Sequence, residues 1–343
     1  MKQRTVCGTV VFLTTLALVT AQVAAKDAKP AKTDPTERGR AYTALFYDGK
    51  VDQVWEHFGE AMKTALVSKE QLQTFRDQVN EQIGEEAAVV NEEVIRAGSF
   101  HVYSRHARFK KFAEVIEVNW TFDDKGVVEG FYIRPQQKPA ETQYLDHKTK
   151  TDLRLPFDGA WFVFWGGRTI AENYHVVAKD QRFAYDLVIM KDGSSHSGDG
   201  TSNEQYHAFG KPIVAPGAGV VAAAVDGLPD NPPGEMDAKN AAGNNVVIDH
   251  GDGEFSFLAH LQKGSVKVKK GQTVQAGDAL GLCGNSGNTS EPHLHYHLQT
   301  TAVSHYGEGL PAQFQNYIAD GQPISRGEPT KGQTIEHGAA TSE

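Results

Sequence analysis

Three histidines, His293, His295 and His297, alternate with apolar residues in the run PHLHYHL over residues 292–298. Positions two apart on a strand point to the same face, so three imidazoles would crowd one side of a β-strand. That is an odd lining for a core and a natural one for a metal, because neutral imidazole binds zinc well. A strand with a solvated polar face is the competing reading of this run. Two further segments carry donors of the same kind. NYHVVAKDQRFAYDLVI holds His175 and Asp186, and EFSFLAHL holds His260. A catalytic zinc takes three protein ligands and leaves a fourth position for water, so a His, Asp, His set would suffice. A histidine beside that water could take its proton or steady the transition state. No HExxH is present, which excludes the helical zinc-protease pattern.

The text around these residues is that of short strands and turns. IVAPGAGVVAAAV, NNVVIDHG, EFSFLAHL, SVKVKKGQTVQAGDALGLCG and HLHYHLQ are rich in Gly and β-branched residues, with little helical period. They predict an all-β domain over 157–321, an antiparallel sandwich or open barrel. Upstream the period is different. Val51, Trp55, Phe58 and Met62 recur at helix spacing and form one apolar stripe. Ser68 with Gln71 makes a capping-box start for a second helix faced by Leu72, Phe75, Val79 and Ile83. Ile116, Val118, Trp120 and Phe122 then alternate with polar residues as in a half-buried strand. DDKG (Asp123 to Gly126) supplies a turn and VVEGFYI a returning strand. Residues 36–133 therefore read as a small α+β domain, helices before antiparallel sheet. Residues 134–156, polar with Pro135 and Pro139, read as the linker, and 322–343 as a disordered tail.

The run from His175 to Gln299 resembles the lysostaphin-like (LytM-type) zinc metallopeptidases, a family of peptidoglycan endopeptidases. The motifs that carry the resemblance come in that family's order. A His…Asp pair enters a strand; an APxxGxV turn beginning at Ala215 and GNxVxIDHG (Gly243 to Gly251) follow. AHL, VKKGQTVQAGDALG and GNSGNTSEPHLHYHL complete the series. The resemblance implies one zinc per chain held by His175, Asp186 and His295, with His260 and His293 as catalytic histidines. It implies hydrolysis of wall stem or cross-link peptides by metal-activated water. One departure is plain: ten residues separate His175 from Asp186, where the compact family pattern has three. Loop closure cost rises slowly with length, so the longer loop can still return to the same metal. Asp180 competes for the ligand role, but the apolar LVI after Asp186 matches the family's strand. The N-terminal domain resembles, through FYDGKVDQVWEHF and its element order, the small cystatin-like α+β domains found ahead of secreted hydrolases. Its expected roles are to position the enzyme on the wall, to shield its groove or to bind a regulatory protein.

Other residues carry plainer readings. His250 in the IDHG turn reads as structural. His297 reads either as an orienter of a ligand or as packing. His196 and His207 lie in a Gly/Ser-rich stretch and read as exposed; His101 and His106 read as surface residues. Asn285 and Asn288 in GNSGN are turn residues or substrate contacts.

At the N-terminus, Lys2 and Arg4 precede the apolar VCGTVVFLTTLALV and the small-residue AQVAA. That order is an export signal over 1–25, followed by a flexible leader at 26–35. The apolar run is short for a membrane span, which needs about 20 residues. The expected location is periplasmic or extracellular. Cys7 falls within the signal, leaving Cys283, which reads as a small buried hydrophobe, so no internal disulfide is possible. The 343-residue chain has a net charge of −9, which argues against nucleic acid as a partner. Two other functions compete with hydrolysis: a catalytically inactive fold member that binds the wall and activates other hydrolases, and a lipoyl-like carrier suggested by VKVKKGQTVQAGDALG. The carrier has no use for a histidine cluster.

Overall fold

In the computed structural model, residues 34–97 and 99–338 are described. The export signal and residues 26–33 of the leader lie outside the described residues. Contacts divide the chain into two units, Met1–Gln136 and Gln137–Glu343. The first is α+β and the second all-β, with antiparallel pairing in every named sheet ladder.

The first unit opens with α1 (Pro35–Tyr47), whose N-cap Asp34 accepts a hydrogen bond from the Thr36 amide at 2.9 Å. The stripe expected as one helix is split between α2 (Val51–Glu56) and α3 (Glu60–Leu66). The break falls at Gly59, whose amide bonds Val128 O at 2.9 Å. Burial follows the expected stripe: Val51, Phe58 and Met62 are buried and Trp55 packs beside them. The fourth helix, α4 (Lys69–Gln82), starts after Ser68, but the serine side chain makes no capping hydrogen bond. Four strands follow as a meander: β1 (Glu86–Ala97), β2 (Phe100–Phe109), β3 (Phe112–Asp123) and β4 (Val128–Pro135). Ile116, Val118, Trp120 and Phe122 are fully buried, as their alternation demands. His106 is buried too, against expectation, because it lies in interior strand β2, paired with Glu117 on one side and Asn91 on the other.

The second unit contains β5 (Trp161–Trp165), β6 (Tyr185–Val188), β7 (Pro212–Val214), β8 (Gly219–Val225), β9 (Asn244–Asp249), β10 (Phe255–Leu261), β11 (Thr273–Val274), β12 (Ala279–Leu282), β13 (Leu294–Gln299), β14 (Gly309–Leu310), β15 (Phe314–Ala319), β16 (Gln322–Gly327) and β17 (Thr334–His337). One long sheet runs β11-β8-β9-β10-β13-β6-β5-β17-β15-β16, with β14 also on β13, and β12 pairs β7 separately. Its core includes Leu187, Ile248, Leu258, Leu261, Tyr296 and Cys283.

Two stretches differ from their sequence reading. Residues 137–156 are not a free linker. Leu153 and Leu155 enter the core of the second unit. The buried Glu254 carboxylate accepts hydrogen bonds from Lys150 N (2.7 Å), Thr151 N (2.8 Å), Thr151 Oγ1 (2.6 Å) and His147 Nε2 (2.9 Å). Nor does disorder begin at 322. Strand β16 pairs β15, while β17 lies between β5 and β15 and buries Ile335. The first stretch is held by a buried carboxylate far along the chain and the second by main-chain pairing, and composition reveals neither.

Candidate functional site

Strand β13 lies between β10 and β6, and this order assembles the donors. On one side His295 is the partner of Ala259 and His297 of Phe257; on the other His295 is the partner of Asp186. His295 Nδ1 lies 2.9 Å from Asp186 Oδ1, and His175 Nε2 lies 3.5 Å from Asp186 Oδ2. His175 comes from a 3-10 turn, Tyr174–Val177, and Asn173 caps that turn. The Asn173 amide oxygen accepts hydrogen bonds from His175 N at 3.1 Å and from His175 Nδ1 at 2.9 Å. Its Nδ2 donates to Ala184 O at 2.8 Å. The far nitrogen of His175 is thereby turned toward the carboxylate. The Tyr174 hydroxyl also donates to Asp186 Oδ2, at 3.4 Å.

His293 sits one residue ahead of β13. Its Nδ1 donates to Glu291 O at 2.9 Å, and its Nε2 lies 3.4 Å from Asp186 Oδ1. His260 reaches the same place by a different device. Its φ is +61°, and β10 carries one extra residue against β9 between Leu258 and Leu261. Regular alternation would send His260 to the core side with Leu258. The bulge turns it into the cavity while Leu258 and Leu261 both stay in the core. Its Nδ1 donates to Ser286 O at 2.8 Å. The His260 and His293 rings stand 4.8 Å apart.

All five residues expected at the site are therefore brought together. Two overlapping donor groups could each hold an ion: His175, Asp186, His295 and His260, His293, His295. The first is an N, O, N set of the kind zinc takes: its ligand atoms lie within 4.8 Å of one another, and the Asp186 carboxylate meets His295 through Oδ1 at 2.9 Å and His175 through Oδ2 at 3.5 Å.

Burial opposes charge at His175, Asp186, His260 and His293. It pushes the His175 pKa down to about 3 and that of His260 well below its ordinary value. Asp186 keeps its charge: burial works against it, but the His175 and His293 side chains outweigh burial and hold it well below the carboxylate range. For His293 burial is likewise outweighed, chiefly by Asp186, and its pKa rises.

Asp180 is no part of the cluster. Its carboxylate accepts the His305 amide at 3.0 Å. His250 holds a turn, through Ala218 O and Ser256 Oγ, each at 2.7 Å. Asn285 is buried scaffolding, bonded to Asn203 Oδ1 at 3.1 Å and Asn231 O at 3.0 Å. Asn288 is exposed on the wall of the groove, a cavity of about 180 Å³ also lined by Tyr174, Val177, Ala242, Ser304 and His305. Neither His196 nor His207 joins the cluster; His196 packs against Tyr206, ring centroids 5.2 Å apart. Sequence reading passed over Asn173, Tyr174 and Ser286. Only the Asn-x-His spacing of Asn173 and His175, a side-chain turn pattern, signals any of them.

Residues 203–307 match peptidase family M23. This chain carries an M23 peptidase domain. The matched stretch of the M23 domain contains His260, His293 and His295 and begins after His175 and Asp186. Among curated relatives, the chain is 51% identical over 57 residues to the peptidoglycan DD-endopeptidase ShyA of Vibrio cholerae, covering 17% of this chain and 13% of that protein. It is 28% identical over 144 residues to the cell division protein DipM of Caulobacter vibrioides, covering 39% of this chain and 22% of that one. The chain thus spans less than a quarter of either relative's length. Among solved structures, the catalytic domain of lysostaphin from Staphylococcus simulans is 19% identical, with a TM-score of 0.27, over 44% of this chain and 87% of that one. No helix among the described residues is long and apolar enough to cross a membrane.

Proposed function

We propose that the chain is an exported zinc metalloendopeptidase that hydrolyses peptide bonds of bacterial cell-wall peptidoglycan, acting in the periplasm or outside the cell. The observation that carries this reading is the buried meeting of His175, Asp186 and His295, with His260 and His293 beside them. The M23 match supports peptidase chemistry, and the relative named a peptidoglycan DD-endopeptidase supports a wall peptide as substrate.

His175 Nε2, the Asp186 carboxylate and His295 Nδ1 would hold the ion. Bound there, zinc supplies Lewis-acid polarisation of the peptide carbonyl and a lowered pKa for water. His260 has its Nδ1 proton committed to Ser286 O, so its Nε2 presents a lone pair to the cavity. It is the residue to accept a proton from the attacking water. His293 carries a proton more readily than a free imidazole, because Asp186 lies beside it. It is suited to steady the developing charge on the carbonyl oxygen and to pass a proton to the departing amine.

The test is digestion of purified peptidoglycan by the zinc-loaded chain, with mass analysis of the released fragments. New amino and carboxyl termini within stem or cross-link peptides are expected. A chain that binds zinc but releases no fragments would sink the endopeptidase reading and leave the inactive wall-binding activator in its place.

A further inference from the structure

His295 uses Nδ1 toward Asp186, which leaves its Nε2 to be accounted for. That atom lies 3.0 Å from His297 Nδ1, two residues along the same face of β13. His297 is buried and stacked on Phe257, with ring centroids 4.6 Å apart and planes 13° from parallel. Its Nε2 is buried without a hydrogen-bond partner. Two residues further on the same face comes Gln299, fully buried, whose Oε1 is also without a partner. The orientation of the Gln299 amide is set, because Nε2 donates to Thr301 O at 2.7 Å and Val303 O at 3.0 Å. Its free end is therefore an acceptor, and the free end of His297 is a nitrogen that can donate.

We infer that His297 and Gln299 are positioning residues that hold the metal ligand His295 in the tautomer that binds through Nδ1. This inference rests on the ligand set proposed above. Metal on Nδ1 requires the His295 proton on Nε2, where His297 Nδ1 accepts it. His297 must then carry its own proton on Nε2, and Gln299 Oε1, buried without a partner two residues on along the same face, is the acceptor we assign to it. Each partner allows only one arrangement in the next. Gln299 closes the line because two backbone carbonyls of the 300–308 loop prevent its amide from turning over. The same loop contributes Ser304 and His305 to the groove.

The experiment measures zinc affinity of the full chain by competition with a chromogenic chelator, beside urea unfolding of the metal-free protein. His297→Phe keeps the ring against Phe257 and removes the acceptor; it should weaken zinc binding by about 10–100-fold. His297→Gln retains an acceptor oxygen and should bind within about threefold of the parent. Gln299→Leu should weaken zinc binding by a smaller factor than His297→Phe, and it carries the test if His297→Phe does not fold. Parental affinity in both His297→Phe and Gln299→Leu would overturn the inference, as would equal weakening in His297→Gln and His297→Phe. A parent chain that binds no zinc would instead overturn the ligand set itself.

Discussion

Asp186 and His295 stand directly opposite one another on strands β6 and β13, Oδ1 to Nδ1 at 2.9 Å, although 109 positions separate them in the chain. The pairing puts a carboxylate and an imidazole on one face of a buried sheet, where neither is tolerated without a partner. The roles proposed for the surrounding histidines follow from which atoms this pair leaves free.

Substitution should separate metal binding from chemistry. His295→Ala should lose zinc and activity together. His260→Ala and His293→Ala should keep zinc and lose turnover by about 10²–10⁴-fold, the usual worth of a positioned proton-transfer group. Metal content of each purified variant, set beside its rate on a peptide substrate, checks this. A zinc-free His293→Ala with a zinc-loaded His295→Ala would reverse the assignment.

Asn173 touches no reacting group, yet it aims His175. Asn173→Ala removes both hydrogen bonds to that residue. Zinc affinity should fall by about 10–100-fold, measured by chelator competition. Unchanged affinity would show that the 3-10 turn alone orients the ring.

Gly243 has φ +58°, and a Cβ there would stand 2.1 Å from the Ser286 carbonyl oxygen, the acceptor that orients His260. Gly243→Ala should destabilise the second unit by at least about 2 kcal/mol and lower turnover in the protein that still folds. Urea unfolding and rate measurement on the same sample test both halves.

The buried Glu254 carboxylate accepts four hydrogen bonds. Burial raises its pKa, but bonds from Thr151, Lys150 and His147 outweigh that, and the net shift is downward. A depressed carboxylate contributes stability above its unfolded pKa, about 4.3, and loses it as pH falls through the folded value. Glu254→Gln should therefore cost about 2 kcal/mol at neutral pH, with the gap to the parent narrowing in acid. Urea midpoints at pH 7 and at roughly pH 3.5 give the comparison; a constant gap would place the effect in packing.

Deleting residues 328–343 removes β17 and leaves β5 and β15 with unpaired edges. The truncated chain should be markedly less stable, and Ile335→Ala alone should cost about 2–5 kcal/mol. Unfolding at the parental midpoint would show that β17 is dispensable.

Strands β3 and β13 were legible because their burial follows side-chain period, and α4 because its apolar face is regular. Helix α1 went unread: it buries only Gly39, Tyr42, Thr43 and Phe46 among thirteen residues. Strand β1 went unread because polar and exposed apolar residues mix along it, with Val89, Val90 and Ile95 all exposed. Residues 137–156 and β17 look like solvated chain, yet one is held by the Glu254 carboxylate and the other by main-chain pairing.

The sequence by itself determined the candidate donors and their order: three histidines of PHLHYHL on one strand face, with AHL, His175 and Asp186 upstream in the order of the family it resembles. The strand face was legible because alternation along a strand is a property of neighbouring residues. Only the tertiary structure decided that β6 and β10 flank β13, which sets Asp186 against His295. Only it decided that His260 turns into the cavity, since unbroken alternation would have buried that ring beside Leu258. One residue in a left-handed conformation reverses the direction of a side chain at a local cost of about 1–3 kcal/mol, and no period in the sequence records it.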